Sequence, residues 1–492
     1  MRTISKLSCG LLGAAGLLLL FSSPARASRR LPVASRARPL ASSVASPPVA
    51  APAPGLREDE LFEQSDSVAA WRAWNARWEA PNSVLTDELA RSVGESVRRD
   101  PARALAYWAY HTGRAGFFAA QWPAAYFAFS ASRGPGGQAP PSIDPAQAAS
   151  AMPRLLGEAF STFADDLACI EAGVYPLPFD LTSPSHRQFS PLFAVRQAAI
   201  FVNEAVANLE KRGKPAPPLW LDAPSMPEYY RTFHYQSDGY MSTRSAAVYE
   251  ASTEALFLGR QDAMQRLTLV PLARVVSEHF ARPGGEWGAR KLDLLEIGCG
   301  TGRFHTFMLD AFGNRLASTS ALDVSPFYLE KARENVAYAQ RLRRWPDARA
   351  DVRFLLANAE EVPLDDESQD VVVSVYMFHE LPESAQRAIV REVGRLLRPG
   401  GAFILTDSLQ LGDRPALDAT LPLFKNLNEP FYERFVQTSL AELVREEAGL
   451  VPEWKGLRSA TKTLSFRKPA AAPPAAPPAP PPAASPVAPP AV

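Results

Sequence analysis

The stretch LDLLEIGCGTG, residues 292–302, decides the fold of this chain. Its first six residues are mainly leucine and isoleucine, a composition typical of a strand that is buried on both faces of a sheet. Gly298, Gly300 and Gly302 follow, and glycines allow a tight turn and leave no Cβ between the backbone and a ligand. A helix placed next presents unpaired N–H groups and the positive end of its dipole. The stretch therefore predicts a strand, a ligand-binding loop and a helix.

Strands and helices alternate from about residue 290 onward. Short apolar runs predict strands at Leu292–Ile297, Leu316–Asp323, Val352–Leu356, Val371–Tyr376 and Ala402–Thr406. Amphipathic patterns predict helices at Arg303–Phe312, Pro326–Arg343, Glu383–Leu397 and Leu440–Ala448. Because crossovers between parallel strands are right-handed, this alternation predicts an α/β fold with a doubly wound, mostly parallel, Rossmann-like sheet.

The chain before the sheet has helical periodicity instead. Apolar residues recur at intervals of three and four in Val68–Glu79, Val84–Arg99, Ala146–Ala172 and Phe193–Arg212. Trp71, Trp74 and Trp78 follow the same spacing, and such a stripe is more often core packing than a ligand site. An all-α N-terminal region is therefore expected.

Composition divides the chain into five segments. Residues 1–27 predict a signal peptide or N-terminal anchor, and residues 28–56 predict a disordered linker rich in Pro, Ala and Ser. Residues 57–285 form the helical region, residues 286–468 form the sheet domain, and residues 469–492 are a disordered tail of Pro and Ala.

Charge around the leader leaves its role open. Arg2 and Lys6 precede the apolar run Leu7–Phe21, and the sequence Ala25-Arg26-Ala27 fits a cleavage site, which predicts export to the envelope. Five arginines follow the run, however, and by the positive-inside rule they favour a cytoplasmic position for the rest of the chain. An uncleaved membrane tether, or translation from a later start such as Met152, remains an alternative.

Overall charge and cysteine content exclude several classes of partner. The 492 residues include 52 basic and 52 acidic side chains, so no nucleic-acid partner is expected, since phosphate binding needs a basic surplus. Cys9, Cys169 and Cys299 give neither a disulfide framework nor a zinc-site spacing. No metal is expected, and the oligomeric state stays open.

An acidic residue ends the second predicted strand. Asp323 lies about 20 residues beyond Gly302, where a carboxylate accepts two hydrogen bonds from a ribose diol. Dinucleotide-binding folds share that feature. Their loop, however, reads G-x-G-x-x-G, whereas this chain has G-x-G-x-G preceded by Glu296.

These motifs together resemble a known family. Residues 294–302 and Ala321-Leu322-Asp323-Val324-Ser325 are similar to the first two motifs of class I S-adenosylmethionine (SAM)-dependent methyltransferases. Residues 358–364 with Asp370, and then residues 396–401, resemble the later motifs of the branch that includes the ubiquinone and menaquinone biosynthesis enzymes. The resemblance implies a SAM cofactor and a small-molecule or lipid-like methyl acceptor.

The resemblance also implies roles for individual residues. Glu296 would lie near the methionine amino group, the three glycines under the methionine and ribose, and Asp323 at the ribose hydroxyls. Asn358 stands where the family usually has an aspartate facing the adenine amino group, and its side-chain oxygen is still an acceptor. The implied cofactor-binding residues are Glu296, Gly298, Gly300, Gly302, Asp323, Asn358, Ala359 and Tyr376.

A second resemblance extends into the helical region. Residues 166–175, 186–189 and 233–240 are similar to the N-terminal extension of uncharacterised bacterial and plant-plastid methyltransferases, which implies that the two regions work as one unit. Tyr235 and Tyr240 then either close over the cofactor and line an acceptor pocket, or pack a helix against the sheet.

One candidate catalytic residue follows the fourth predicted strand. His379 would act as a base on an acceptor hydroxyl or amine, or it would only help to turn the chain and frame the cofactor pocket. An active methyltransferase is the first hypothesis, and a non-catalytic SAM-fold module of the cell envelope is the alternative. An aminopropyltransferase is less consistent with the sequence, because no Asp follows the fourth strand in the positions up to His379.

Overall fold

The computed structural model describes residues 53–80, 84–132, 145–211, 226–230, 236–281, 290–345, 351–427 and 429–470. The predicted leader, residues 28–52 of the predicted linker and residues 471–492 of the predicted tail lie outside these ranges. Within the described ranges, no helix is both long and apolar enough to cross a bilayer.

An eight-stranded sheet forms the centre of the molecule. Its strands are β1 (Glu63–Gln64), β2 (Leu292–Ile297), β3 (Leu316–Asp323), β4 (Val352–Leu356), β5 (Gln369–Val375), β6 (Leu397–Ser408), β7 (Val451–Arg458) and β8 (Thr461–Arg467). They are ordered β1-β7-β8-β6-β5-β2-β3-β4, and β8 alone runs antiparallel to its neighbours. This arrangement confirms the predicted doubly wound, mostly parallel sheet.

Helices cover both faces of the sheet. Those of the N-terminal region are α1 (Pro54–Glu58), α2 (Asp66–Glu79), α3 (Val84–Arg99), α4 (Pro101–Ser132), α5 (Pro145–Glu171), α6 (Phe179–Thr182), α7 (Pro191–Lys211), α8 (Thr243–Leu256), α9 (Gln261–Gln265) and α10 (Leu269–Ala281). Those of the sheet domain are α11 (Arg303–Phe312), α12 (Pro326–Arg343), α13 (Glu383–Leu396), α14 (Tyr432–Phe435) and α15 (Leu440–Ala448).

Alternation of side chains along β2 builds two separate cores. Leu294 packs in one apolar cluster with Phe307 of α11, whereas Leu295 packs on the opposite face in a cluster that includes Ile389 of α13. Successive residues of a strand point to opposite faces, so a strand buried on both faces is apolar throughout. That requirement explains why the apolar run of β2 was readable in the sequence.

The tryptophan stripe of α2 is core packing, as expected. Trp71 and Trp74 are buried and stacked, and their indole N–H groups donate to Asp165 and Ser161 of α5 at 2.7 and 3.0 Å. The guanidinium of Arg414 lies over the ring of Trp71, 4.9 Å from its centroid. The stripe therefore attaches α2 to α5 and to the sheet domain.

The C-terminal strands β7 and β8 and the short strand β1 differ from the sequence expectation. β1 pairs in parallel with β7, so the N-terminal region is not wholly helical. Such edge pairing uses backbone groups and requires no apolar pattern. Helix α1 also begins inside the predicted linker, where the Gly55 amide donates to the Leu411 carbonyl at 2.8 Å.

Buried ion pairs attach the helical region to β7 and β8. Lys455 and Lys462 lie inside the protein, where Lys455 Nζ is 2.8 Å from Asp413 Oδ1 and Lys462 Nζ is 2.7 Å from Glu58 Oε2. Arg458 Nη1 is 3.2 Å from Asp166 Oδ1, and Arg266 donates to both oxygens of the same carboxylate. Burial opposes ionisation of Asp166, but Arg266 and then Arg458 outweigh it and lower its pKa to about 2.

We predict that Asp166→Asn destabilises the fold strongly. The amide keeps the volume of the side chain but leaves the charges of Arg266 and Arg458 without their carboxylate, a loss of about 3–5 kcal/mol in the free energy of unfolding. Urea denaturation measures the change. Asp100→Asn is the control, because Asp100 is exposed, pairs with Arg103 and caps α4, a role that Asn also fills. Equal stability of the two variants would contradict the prediction.

Candidate functional site

A cleft opens where the connections of the sheet change direction. The chain leaves β2 for β3 and β4 on one side and returns to β5 on the other, and ligands bind at such a switch point beyond the carboxyl ends of the strands. The cavity found there, called the cofactor cavity below, is lined by the predicted residues Glu296, Gly298, Gly300, Asp323, Asn358, Ala359 and Tyr376. The structure thus brings together seven of the eight residues expected to bind the cofactor.

The three glycines of the loop do not all have the same structural role. All three have left-handed φ angles, of +65°, +55° and +73°. A Cβ at Gly300 would meet no atom within 4 Å, so this residue borders open space in the cavity. A Cβ at Gly302 would lie 3.0 Å from that of Ala332, so Gly302 allows α11 to pack on α12 and is not part of the cavity lining.

Asp323 is held by the loop itself. One carboxylate oxygen accepts the Gly300 N–H and the other accepts the Ser325 N–H, each at 2.8 Å. Burial raises the pKa of Asp323 to about 6, against the opposing effect of these two amides. The group is therefore ionised at neutral pH, and each oxygen keeps a second lone pair for a ligand hydroxyl.

Glu296 and Asn358 are fixed at other points of the cavity. Glu296 is buried, lies 2.8 Å from His305 Nδ1, and burial raises its pKa. The Asn358 side chain accepts the Glu360 N–H and donates to the Glu360 carboxylate, both at 3.1 Å. The hydroxyl of Tyr229 donates to that same Glu360 oxygen at 2.6 Å.

Aromatic side chains from before the sheet domain cover the cavity. Tyr240 lines it and donates to Glu380 Oε1 at 2.7 Å, and its ring lies 5.2 Å from that of Tyr328. Tyr240 therefore agrees with the pocket-lining alternative, whereas Tyr235 lies outside the described residues. Tyr249 and Thr253 also line the cavity, from the same face of α8, which begins at a Ser242 cap.

His379 lies beside the cofactor cavity rather than in its lining. Its Nδ1 is 2.6 Å from Asp407 Oδ1, and its Nε2 is 3.5 Å from Glu380 Oε1. Burial favours the neutral ring, but Asp407 and then Glu380 outweigh it and raise the pKa of His379 to about 9. A ring that is protonated at neutral pH cannot accept a proton, so the contacts favour the framing role over the base role.

Sequence reasoning missed Asp407, Glu380 and Tyr249. Asp407 is the last residue but one of β6, beside β5, and the carboxyl ends of neighbouring parallel strands meet at one edge, so its position could have been inferred. Tyr249 precedes β2 by more than forty residues, and nothing in its local sequence places α8 over the cleft. Among the described residues, no three His, Cys, Asp or Glu side chains are grouped to bind a metal.

The family comparison agrees with this geometry. A family model described as a methyltransferase domain matches residues 294–401, which include the glycine loop, Asp323 and Asn358. The matched stretch, residues 294–401, is a methyltransferase domain of the class I SAM-dependent type, and its cofactor is SAM.

Individual relatives match over parts of their length. A malonyl-[acyl-carrier protein] O-methyltransferase from Paenibacillus is 33% identical over 147 residues, which are 29% of this chain and 47% of that protein. A fatty-acid O-methyltransferase from Mycolicibacterium smegmatis is 28% identical over 128 residues, 26% of this chain and 41% of that protein. The alignment with a solved O-methyltransferase family protein from Burkholderia thailandensis covers 77% of this chain and 98% of that protein's chain, with 18% identity and a TM-score of 0.38. The chain thus spans less than half the length of these two curated relatives.

We predict that SAM affinity depends on the charge of Asp323. Loss of two charge-assisted hydrogen bonds in Asp323→Ala weakens binding more than about tenfold, and Asp323→Asn is milder because one acceptor remains. Protonation of the carboxylate removes its charge, so wild-type affinity falls as the pH drops through about 6. Calorimetric titration across that range measures both effects. Asp323→Asn lacks the titrating group, so its SAM affinity should lose the pH dependence. If Asp323→Ala binds SAM within about twofold of wild type, the ribose-site assignment is refuted.

Proposed function

We propose that the protein transfers a methyl group from SAM to a small or lipid-like acceptor bound beside the cofactor cavity. The observation that carries the proposal is a second, smaller cavity around His379, called the acceptor cavity below. The two cavities share five lining residues, namely Tyr249, Thr253, Gln261, Tyr376 and Glu380. A ligand in one cavity would therefore lie next to a ligand in the other.

The residues of the cofactor cavity fit SAM. Asp323 offers ionised oxygens for hydroxyl groups, Gly300 leaves room for a ligand against the backbone, and Glu296 offers a carboxylate for an amino group. The hydroxyl oxygen of Thr301 is buried and has no hydrogen-bond partner among the described residues, although it borders this cavity. A bound ligand would satisfy that group.

The protein contributes to the reaction by positioning the two reactants and by excluding water from them. When bound, SAM supplies an electrophilic methyl group. Tyr376 stands between the two cavities, and its hydroxyl is held 2.5 Å from Thr461 Oγ1 while burial raises its pKa. Rigid placement of an acceptor in a dry site accounts for most of such catalysis, and no catalytic triad is required.

Two of the relatives support a small or lipid-like acceptor. One methylates a malonyl group on acyl-carrier protein and another a fatty acid. The non-catalytic alternative remains an outcome of the test, because it predicts a sheet domain that binds no SAM.

The test compares Gly300→Val with Gly449→Val. Both glycines have left-handed φ angles and open space around the added Cβ, so both variants incur the same kind of backbone strain, on the order of 1–3 kcal/mol. Only Gly300 faces the cofactor cavity, so only its variant should lose SAM binding by calorimetry, with both folded by circular dichroism. Cells that produce Gly300→Val and are given isotope-labelled methionine should likewise lack a labelled product. Cells that produce the wild-type protein or Gly449→Val should form it. Normal SAM binding by Gly300→Val would defeat the proposal.

We also propose that the sheet domain faces the cytoplasm, tethered by residues 7–21. SAM is a cytoplasmic metabolite, and the arginines after the apolar run favour retention. A start at Met152 is less compatible with the fold, since it would delete α2, whose tryptophans pack on α5. Fusions after Lys468 to alkaline phosphatase and to a fluorescent protein that matures only in the cytoplasm provide the measurement. Fluorescence without phosphatase activity is expected, and the reverse pattern would overturn the proposal.

A further inference from the structure

The five lining residues that the two cavities have in common, called the shared wall below, include an unsatisfied hydrogen-bond acceptor. Gln261 is only 8% exposed, and its Oε1 atom is buried and has no hydrogen-bond partner among the described residues. The other hydroxyl-bearing side chains at this place are better satisfied. Thr253 donates to the Tyr249 carbonyl at 3.0 Å, and the Tyr376 hydroxyl lies 2.5 Å from Thr461 Oγ1. Because an unpaired buried acceptor is costly, Gln261 is expected to meet a donor on a bound ligand.

The backbone at Gln261 is held in place by the protein itself. Gln261 begins α9, and its N–H donates to Glu254 Oε2 at 3.2 Å, while Arg114 donates to the other oxygen of that carboxylate at 2.7 Å. In the turn between α8 and α9, Leu258 and Gly259 have left-handed φ angles of +53° and +77°. A residue other than glycine keeps such a conformation only where the surrounding structure enforces it. The position of Gln261 is therefore set before any ligand binds, which lowers the cost of recognition.

Aromatic rings line much of the acceptor cavity. Phe424 and Tyr432 stack with centroids 5.0 Å apart. Phe257 and Tyr249 also line the cavity, from the end of α8 and from α8 itself. Such rings accommodate a flat apolar ligand. A hydrocarbon would fill this space but leave Gln261 Oε1 unpaired, whereas a molecule of the same shape with a hydroxyl or amino group would pair with it.

We propose that Gln261 determines which methyl acceptor binds, because its Oε1 accepts a hydrogen bond from an O–H or N–H group that the acceptor presents at the shared wall. This inference rests on the proposed methyltransferase function and narrows its acceptor to molecules with such a donor. SAM also carries N–H donors, but Glu296, which lines the cofactor cavity and not the acceptor cavity, already offers a carboxylate for them. A neutral amide does not take up a proton at neutral pH, so Gln261 determines specificity and is not a base.

The experiment measures binding to protein saturated with S-adenosylhomocysteine, so that no turnover occurs. The probes are toluene, phenol and aniline, which have nearly the same shape and are uncharged at neutral pH, and ligand-observed NMR titration gives their affinities. Toluene is the most hydrophobic, so a cavity without a hydrogen-bond acceptor would favour it. We expect phenol, aniline or both to bind at least about fivefold more tightly than toluene. The tighter of the two identifies the donor as O–H or N–H. If toluene binds as tightly as both, or if none of the three binds, the inference is overturned.

Variants assign the preference to Gln261. Gln261→Met has a similar length and no strong acceptor, so toluene should bind to it at least as tightly as phenol and aniline do. Gln437→Met is the matched control, because Gln437 is an exposed glutamine just after α14, and it should keep the wild-type preference. Glu429→Met tests the other buried oxygen of the acceptor cavity that has no partner among the described residues, Glu429 Oε2. A preference that persists in Gln261→Met, or that is lost in Glu429→Met instead, would contradict the inference.

Titration with S-adenosylhomocysteine itself separates the possible failures. Gln261→Met should bind it within about threefold of wild type, and a larger loss in a variant that is folded by circular dichroism would assign Gln261 to the cofactor and overturn the inference. If the wild-type protein fails to bind S-adenosylhomocysteine, the proposed function fails and the acceptor assignment fails with it. If S-adenosylhomocysteine binds and the preference for a donor is absent, the methyltransferase function stands and only the role of Gln261 is wrong.

Discussion

Asp166 has no contact with solvent and still carries a charge. It accepts hydrogen bonds from Arg266 and Arg458, and from the hydroxyls of Tyr107 and Tyr175 at 2.6 and 2.9 Å. A buried carboxylate is tolerated only when its partners are held in place, and these partners come from α4, from β7, from the turn after α5 and from the turn after α9. The helical region and the sheet are consequently one packing unit, and the position of each depends on the other.

The cavities depend on this attachment. Helix α8 supplies Tyr249 and Thr253 to both of them, and Arg114 of α4 donates to Glu254 of α8 at 2.7 Å and to Asp262 of α9 at 2.9 Å. These contacts hold α8, which covers the cleft, in place independently of any ligand. Methyl transfer needs a site closed to water, and here the closure comes from residues that precede the glycine loop by about forty to sixty positions.

The sequence predicted the parts of the fold whose signal is local. Strand β2, the glycine loop and Asp323 were readable because a doubly buried strand must be apolar and a left-handed turn favours glycine. Strands β7 and β8 were not readable, because Lys455, Arg458 and Lys462 interrupt any apolar pattern. Their charges are neutralised by Glu58, Asp166 and Asp413, which lie far away in the sequence, so the strands can be recognised only after the tertiary contacts are known.

The same limit applies to His379. Its place after β5 followed from the motif order, but its charge state depends on Asp407, 28 residues later, and on the orientation of Glu380. A lone histidine in sequence suggests a base, whereas the contacts with Asp407 and Glu380 raise the pKa of the ring to about 9 and favour its protonated form. Glu429 lines the same cavity as His379, and burial, followed by the nearby charge of Glu380, raises its pKa well above the ordinary value. Acid–base character in this site is therefore a property of the cluster, set by burial and by the order in which its members ionise.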